Sequence, residues 1–160
     1  MKTAIPEPSE QNDFLVDHIE MLCRCHKLWT GHELVEPGLS RLEAARYVYT
    51  APYAVLSHDT RADPVFNYAN LTAQKLFELE WATLITLPSR LSAEPVNQEE
   101  RQRLLDEVNR KGYIDNYRGI RISRTLKRFW IENATVWTLI DTWGNPSGQA
   151  AMFARWHSLG

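Results

Sequence analysis

Three groupings of side chains in this sequence could do chemistry, and each sets a geometric test. Cys23, Cys25 and His26, with His18 and His32 nearby, supply thiol and imidazole groups of the kind that hold zinc. On a helix, Cys25 and His26 point about 100° apart, and the two-plus-two spacing of a structural zinc site is missing. The spacing instead fits a small thiol and a helix histidine packed in a core, so no metal ligand is assigned. Cys23 and Cys25 themselves point about 200° apart, which disfavours a bridge and predicts reduced thiols. Ser57, His58 and Asp59 place a hydroxyl, an imidazole and a carboxylate side by side. Adjacent residues on a turn cannot form a nucleophile–base–acid relay, and no nucleophile elbow or phosphate loop is present, so no catalytic residue is assigned. The third grouping is the basic run Arg118, Arg121, Arg124, Lys127 and Arg128, interleaved with Tyr117, Phe129 and Trp130. Its composition suits a nucleic-acid surface, but strand alternation divides the cations between two faces.

Composition narrows the classes further. A chain of 160 residues with 44% hydrophobic content has material for one well-covered core. A formal net charge of -2 gives no overall basic field for nucleic acid or an anionic membrane. No apolar run approaches the ~18 residues of a membrane helix, and the start, Met1 to Asp13, is acidic and proline-bearing, unlike a signal peptide. A cytoplasmic protein is expected.

The elements that would position these groups can be read in order. Residues 1–12 read as a loose tail ending near Asn12, a helix N-cap type. From Phe14 to Leu28, Leu15, Ile19, Leu22, Cys23 and His26 recur at three- and four-residue steps and mark one buried helical stripe. Ser40 with Glu43 is a capping-box pattern for a second helix through Tyr49. Residues 13–52 thus form an N-terminal helical cover, and 53–160 the core of the same structural domain. Ala54 to Leu56 and Val65 to Tyr68 suit short strands flanking a turn. Asn70 is placed to cap a helix over 71–79, a shorter helical piece follows over 80–85, and Leu87 to Pro95 reads as a loop. Asn97 and Glu100 offer the start of a helix that Gly112 ends. Strands are predicted over 113–123, 127–142 and 148–157 as a meander. The class is α+β: a five-stranded antiparallel sheet with a helical crossover on one face and the N-terminal helices on the other.

Specific words in the sequence carry a resemblance. Ser57-His58, Asp63-Pro64-Val65-Phe66-Asn67-Tyr68-Ala69-Asn70 and Leu87 through Pro95 resemble the MEKHLA domain family. So do Gly119 through Ser123, Arg128-Phe129 with Ile131, Val136-Trp137, and Gly148 through Ala151 followed by Phe153 and Trp156. The hexapeptide that names the family is absent. The resemblance covers Phe14 to His157 and is to the stand-alone bacterial or algal type. It implies a PAS-like fold and, with it, a sensory or protein-interaction module with a small ligand pocket and no catalysis. A small enzyme using the same cavity is the alternative, and a nucleic-acid-associated regulator a lesser one. PAS relatives also hold haem or flavin. His58 or His32 could reach such a pocket as a haem ligand, and the helix after Asn70 lacks the cysteine of flavin photoreceptors, which disfavours thiol-adduct photochemistry but leaves simple flavin binding open; haem and flavin are both possible and neither is indicated. PAS relatives commonly pair, so a protein partner or a homodimer is expected, with no membrane partner.

A register for the last strands then selects candidate ligand contacts. A four-residue turn from Ser123 to Arg128 sets Ile122 opposite Phe129, Ile120 opposite Ile131 and Trp130 opposite Arg121. The core face then takes Asn133, Thr135, Trp137 and Leu139 from one strand and Ala151, Phe153 and Arg155 from the next. Arg118 and Arg155 would meet at one end, where burial calls for an anion. The expected contacts of a small anionic ligand are Arg118, Asn133, Thr135, Trp137, Phe153, Arg155 and Tyr68. Without a ligand, Glu78 or Glu94 would pair with those arginines, or the strand ends would simply reach solvent. The opposite face would carry an apolar patch of Val136, Ile140, Met152, Ala154 and Trp156, covered by the N-terminal helices or a second protomer.

Overall fold

The computed structural model describes residues 4–159, so residues 1–3 of the expected tail and residue 160 lie outside it. From residue 5 the chain is docked. The Ile5 carbonyl accepts from Trp81 Nε1 at 2.9 Å, Pro8 is buried, and the Tyr49 hydroxyl donates to Glu7 Oε1 at 3.0 Å. Asn12 does not cap a helix. It ties a 3-10 stretch over Glu10–Leu15, accepting from the Ser9 amide and donating to the Glu7 carbonyl. Asp13, Phe14 and Leu15 then take left-handed φ values of 53°, 54° and 56° before helix α1 runs over Val16–Thr30.

Helix α1 buries Ile19, Leu22, Cys25 and His26, spaced by three, three and one. Cys23, expected on that stripe, is half-buried beside it. The capping box forms as predicted: Ser40 Oγ accepts from the Glu43 amide and Glu43 Oε1 from the Ser40 amide, opening α2 over Arg41–Thr50. Strands β1 (Ala54–His58) and β2 (Phe66–Ala69) form the hairpin. Asn70 caps α3 (Leu71–Phe77) and does more than cap. Its Oδ1 accepts from Ala73 and Val55 amides, and its Nδ2 donates to the Val48 and Tyr53 carbonyls. At full burial, every polar site of the amide is thus satisfied, joining α2, β1 and α3.

Helix α4 (Trp81–Leu84) and a 3-10 turn over Ser89–Ser92 lead to α5 (Pro95–Lys111). Helix α5 starts earlier than the Asn97 signal suggested, because Pro95 fits the first helical turn, where no amide partner is lost. Strands β3 (Tyr113–Ile122), β4 (Arg128–Ile140), β5 (Pro146–Phe153) and β6 (Arg155–Ser158) complete the chain. The last expected strand therefore divides at Ala154, making six strands. Their order is β2-β1-β5-β4-β3, all antiparallel, with β6 continuing beside β4.

One core cluster lies between the sheet and α3–α5 and includes Leu56, Phe77, Leu104, Phe129, Val136 and Phe153. The other lies beneath α1 and α2 and includes Ile19, Leu22, Val48, Tyr68, Trp137 and Leu139. Strand β1 serves both: Leu56 faces the first, Val55 the second. No helix among the described residues is long and apolar enough to cross a membrane.

The β3–β4 register differs from the expectation by one residue. Ile122 pairs with Arg128, Ile120 with Trp130 and Arg121 with Phe129. The loop over 123–127 is one residue longer than the four-residue turn because it is held to the end of α3. Ser123 and Thr125 donate to Glu78 Oε1, and the Arg124 amide donates to the Phe77 carbonyl. A bulge then inserts an extra residue in β4 between Ile131 and Ala134, with Asn133 at φ 51°, and a matching one in β3 at Asn116, φ 53°. An extra residue reverses every later side chain. Val136 turns toward α5, while Trp137 and Leu139 turn toward α1. The apolar patch expected on the far face is dispersed accordingly: Val136 and Trp156 join the first cluster, Ile140 and Met152 the second, and Ala154 is exposed.

Candidate functional site

The space between the crossover helices and the sheet is a cavity of about 70 Å³. One side is apolar: Leu56, Phe66, Phe77, Leu104, Val136 and Phe153. The other presents Arg101 from α5, Arg121 from β3, His58 from β1, Gln149 from β5 and Ser92. Arg101 and Arg121 are only 7% and 6% exposed, far below what unpaired cations tolerate.

Among the described residues, neither guanidinium forms an ion pair with a carboxylate. Arg101 Nη2 donates to Ser89 Oγ at 2.9 Å; Arg121 donates to the Ile120 carbonyl at 2.8 Å and to the Tyr117 hydroxyl at 3.1 Å. The Tyr117 hydroxyl donates onward to Glu100, so that carboxylate acts at one remove. Burial, and then the neighbouring Arg121 charge, hold Arg101 down to about 10, still protonated at neutral pH. Gly119 leaves room for this pair, since a Cβ there would displace the Tyr117 ring and hydroxyl and crowd the Arg121 guanidinium.

The polar groups form a directed chain. Gln149 Nε2 donates to the Leu105 carbonyl and to Asn109 Oδ1, each at 3.1 Å, which leaves Gln149 Oε1 to accept from His58 Nε2 at 3.1 Å. The His58 proton is thereby assigned to Nε2, and Nδ1 accepts from the Ser89 hydroxyl at 3.0 Å. Ser89 in turn accepts from Arg101. The chain thus runs from Arg101 to Ser89, His58 and Gln149, and returns to α5. His58 is 6% exposed, and burial lowers its pKa to about 4, keeping it neutral. Gly148 lets β5 approach close enough: with φ 117°, any Cβ there would run into the His58 carbonyl oxygen.

Across β1, the neighbouring Ser57 serves the other face. Its hydroxyl contacts His18 Nε2 at 2.8 Å and donates to Asn67 Oδ1. Burial lowers His18 to about 4 as well. The Tyr68 hydroxyl is buried without a hydrogen-bond partner among the described residues. Cys25 Sγ accepts from the Ile140 amide at 3.2 Å and lies 3.3 Å from its carbonyl, a packing role between α1 and β4. Burial pushes the Cys23 thiol up to about 11, so it is not a poised thiolate. No group of three or more metal-ligating side chains gathers among the described residues.

The residues expected to contact an anion are not brought together. Arg118 is exposed, stacks on Trp130 at 3.9 Å and pairs with Glu132 at 3.4 Å. Asn133 is exposed in its bulge, Thr135 is half-buried, and Arg155 is exposed on β6. Trp137 and Tyr68 lie in the core under α1 and α2. Phe153 alone of that set lines the cavity. Glu78 and Glu94 pair with Lys127 and Arg128 rather than with Arg118 or Arg155. The two arginines that border the apolar hollow are Arg101 and Arg121, neither of them in the expected set. Arg101 carried a readable signal: it stands three, four and seven residues before Leu104, Leu105 and Val108, on the buried stripe of α5. Arg121 had none, since its face depends on the register.

Comparisons with known proteins place the chain. The family model for the MEKHLA domain matches residues 16–158. No curated protein matches. Among solved structures, the PAS domain of a protein from Colwellia psychrerythraea superposes with a TM-score of 0.60 at 13% identity, covering 72% of this chain and 92% of that one. An RNA-binding Light-Oxygen-Voltage receptor gives 0.60 at 16% identity over 75% of this chain, which spans only 33% of the receptor. A Light-Oxygen-Voltage domain studied with a flavin analogue gives 0.57 at 14% identity, covering 72% and 84%. At these identities the structures establish the fold and the family model the kinship: the chain has a PAS-type fold and belongs to the MEKHLA domain family.

Proposed function

We propose that this domain is a ligand-responsive sensory module: a small molecule enters the cavity beside Arg101 and Arg121, and the output passes to a protein partner or a second copy without catalysis. The observation that carries this reading is open space of about 70 Å³ at the junction of apolar side chains and a directed polar chain. That chain touches β1, β5, the loop before α5 and α5 itself, so anything binding Arg101 would alter contacts on four segments.

The cavity favours a short ligand over haem or flavin, since drug-sized ligands occupy pockets of about 300 Å³ or more. Catalysis by Ser89, His58 and Gln149 is disfavoured despite their contacts. Ser89 is fully buried and engaged by Arg101, a neutral amide cannot stabilise an imidazolium, and a histidine held near 4 is a weak base. Nucleic-acid binding, stated for one structural neighbour, finds little support in this chain. Arg118, Lys127 and Arg128 are paired with Glu132, Glu78 and Glu94.

Native mass spectrometry of the purified protein, beside an Ala151→Phe variant that fills the cavity, tests the reading. A small-molecule adduct in the wild type and its loss in the variant is expected; the same adduct in both, or none in either, would refute it.

A further inference from the structure

We propose that the ligand is a monocarboxylate of two or three carbons, its carboxylate received by Arg101 and Arg121 and its alkyl end by the Val136 and Phe153 wall. The inference rests on the pocket reading above and adds the chemical class. Both arginines line the cavity, and both are more than nine-tenths buried. Among the described residues their partners are a serine hydroxyl, a tyrosine hydroxyl and a carbonyl, all neutral, so each guanidinium keeps N–H donors with no acceptor there. Burial of two neighbouring cations is costly unless an anion answers them, and each raises the cost of the other. The carboxylates nearby are engaged elsewhere: Glu100 by Tyr117, Asp63 by Arg90. A planar carboxylate matches the guanidinium fork with two oxygens.

Size and polarity restrict the rest of the molecule. A cavity of roughly 150 Å³ accepts benzene, so one of about 70 Å³ takes roughly three to five heavy atoms. A carboxylate uses three of them. The remaining space is bounded by Leu56, Val136 and Phe153, which suits a methyl or ethyl group and not further oxygens. Inorganic phosphate, of similar size but polar on every side, would set oxygens against that wall.

Calorimetric titration of the full chain at constant ionic strength with propionate, propionamide and inorganic phosphate tests this, in the wild type, Arg121→Gln and Ala151→Phe. Propionate should bind the wild type and bind Arg121→Gln at least about tenfold more weakly, because a charged hydrogen bond is lost. Propionamide should be weaker by a similar factor. The unliganded melting temperature of Arg121→Gln should hold or rise, since one of two adjacent buried charges is gone; a purely structural arginine would lower it. Should that variant not fold, Arg101→Gln supplies the same comparison. Equal affinity for propionate and propionamide, retained affinity in the charge-neutralised variant, tighter binding of phosphate, or no propionate binding by the wild type would each overturn the carboxylate assignment. The pocket reading fails separately, through the native adduct and its response to Ala151→Phe.

Discussion

The two faces of strand β1 follow opposite rules. Toward α1 and α2, Val55 meets Tyr68, Trp137 and Leu139 in a filled aromatic and aliphatic layer. Toward α5, Leu56 and His58 border open space, buried cations and a hydrogen-bond chain. The N-terminal cover thus supplies close packing, while the crossover side keeps two buried cations at a cost that apolar packing would have removed. The difference separates a face held by close packing from one that keeps open space beside buried cations.

Several changes would break or sharpen this contrast. Trp137→Ala, on the filled side, should cost about 3–5 kcal/mol by chemical denaturation, since a fully buried indole and its bond to the Leu22 carbonyl are lost. A loss under 1 kcal/mol would mean that the cover packs loosely.

Acid should probe both faces through their histidines. His58 and His18 sit near 4 in the fold against an ordinary 6.5. The unfolded chain therefore takes up protons first. Stability is complete above pH 6.5, falls between 6.5 and 4 by up to about 1.4 kcal/mol per pH unit for each histidine, and levels off below. His58→Asn and His18→Gln should each flatten that slope, since burial lowers both rings to about 4. Denaturant midpoints across that range give the answer, and an unchanged slope in His58→Asn would contradict its neutral state.

Neighbouring alanines on β5 offer the cleanest contrast. Both border the cavity, but successive side chains on a strand point to opposite faces: Ala150 packs into the filled cluster and Ala151 against the other. Ala150→Leu should cost about 1–3 kcal/mol by overpacking, whereas Ala151→Leu has room and should change stability by less than about 1 kcal/mol. Equal penalties would mean that the cavity closes in solution. The smallest effect is expected from Arg118→Ala, about 0.5 kcal/mol or less, because its stack on Trp130 and its pair with Glu132 are exposed.

The sequence by itself determined the local and ordinal features. Ser40 with Glu43, Asn70 before an apolar run, and Gly112 after α5 act within a few residues of themselves, so their hydrogen bonds form wherever the chain goes. The same local patterns set the element order and carried the family words. Which side chains share the cavity was decided only in three dimensions. The loop after Ser123 is positioned by Glu78, which lies far away in the chain, and the bulges at Asn133 and Asn116 each insert one residue into an alternation of period two. No local pattern marks such an insertion, yet it exchanges Val136 for Trp137. The one-residue register slip places Arg121 inside and Arg118 outside, and the cation pair exists because α5 crosses that particular register.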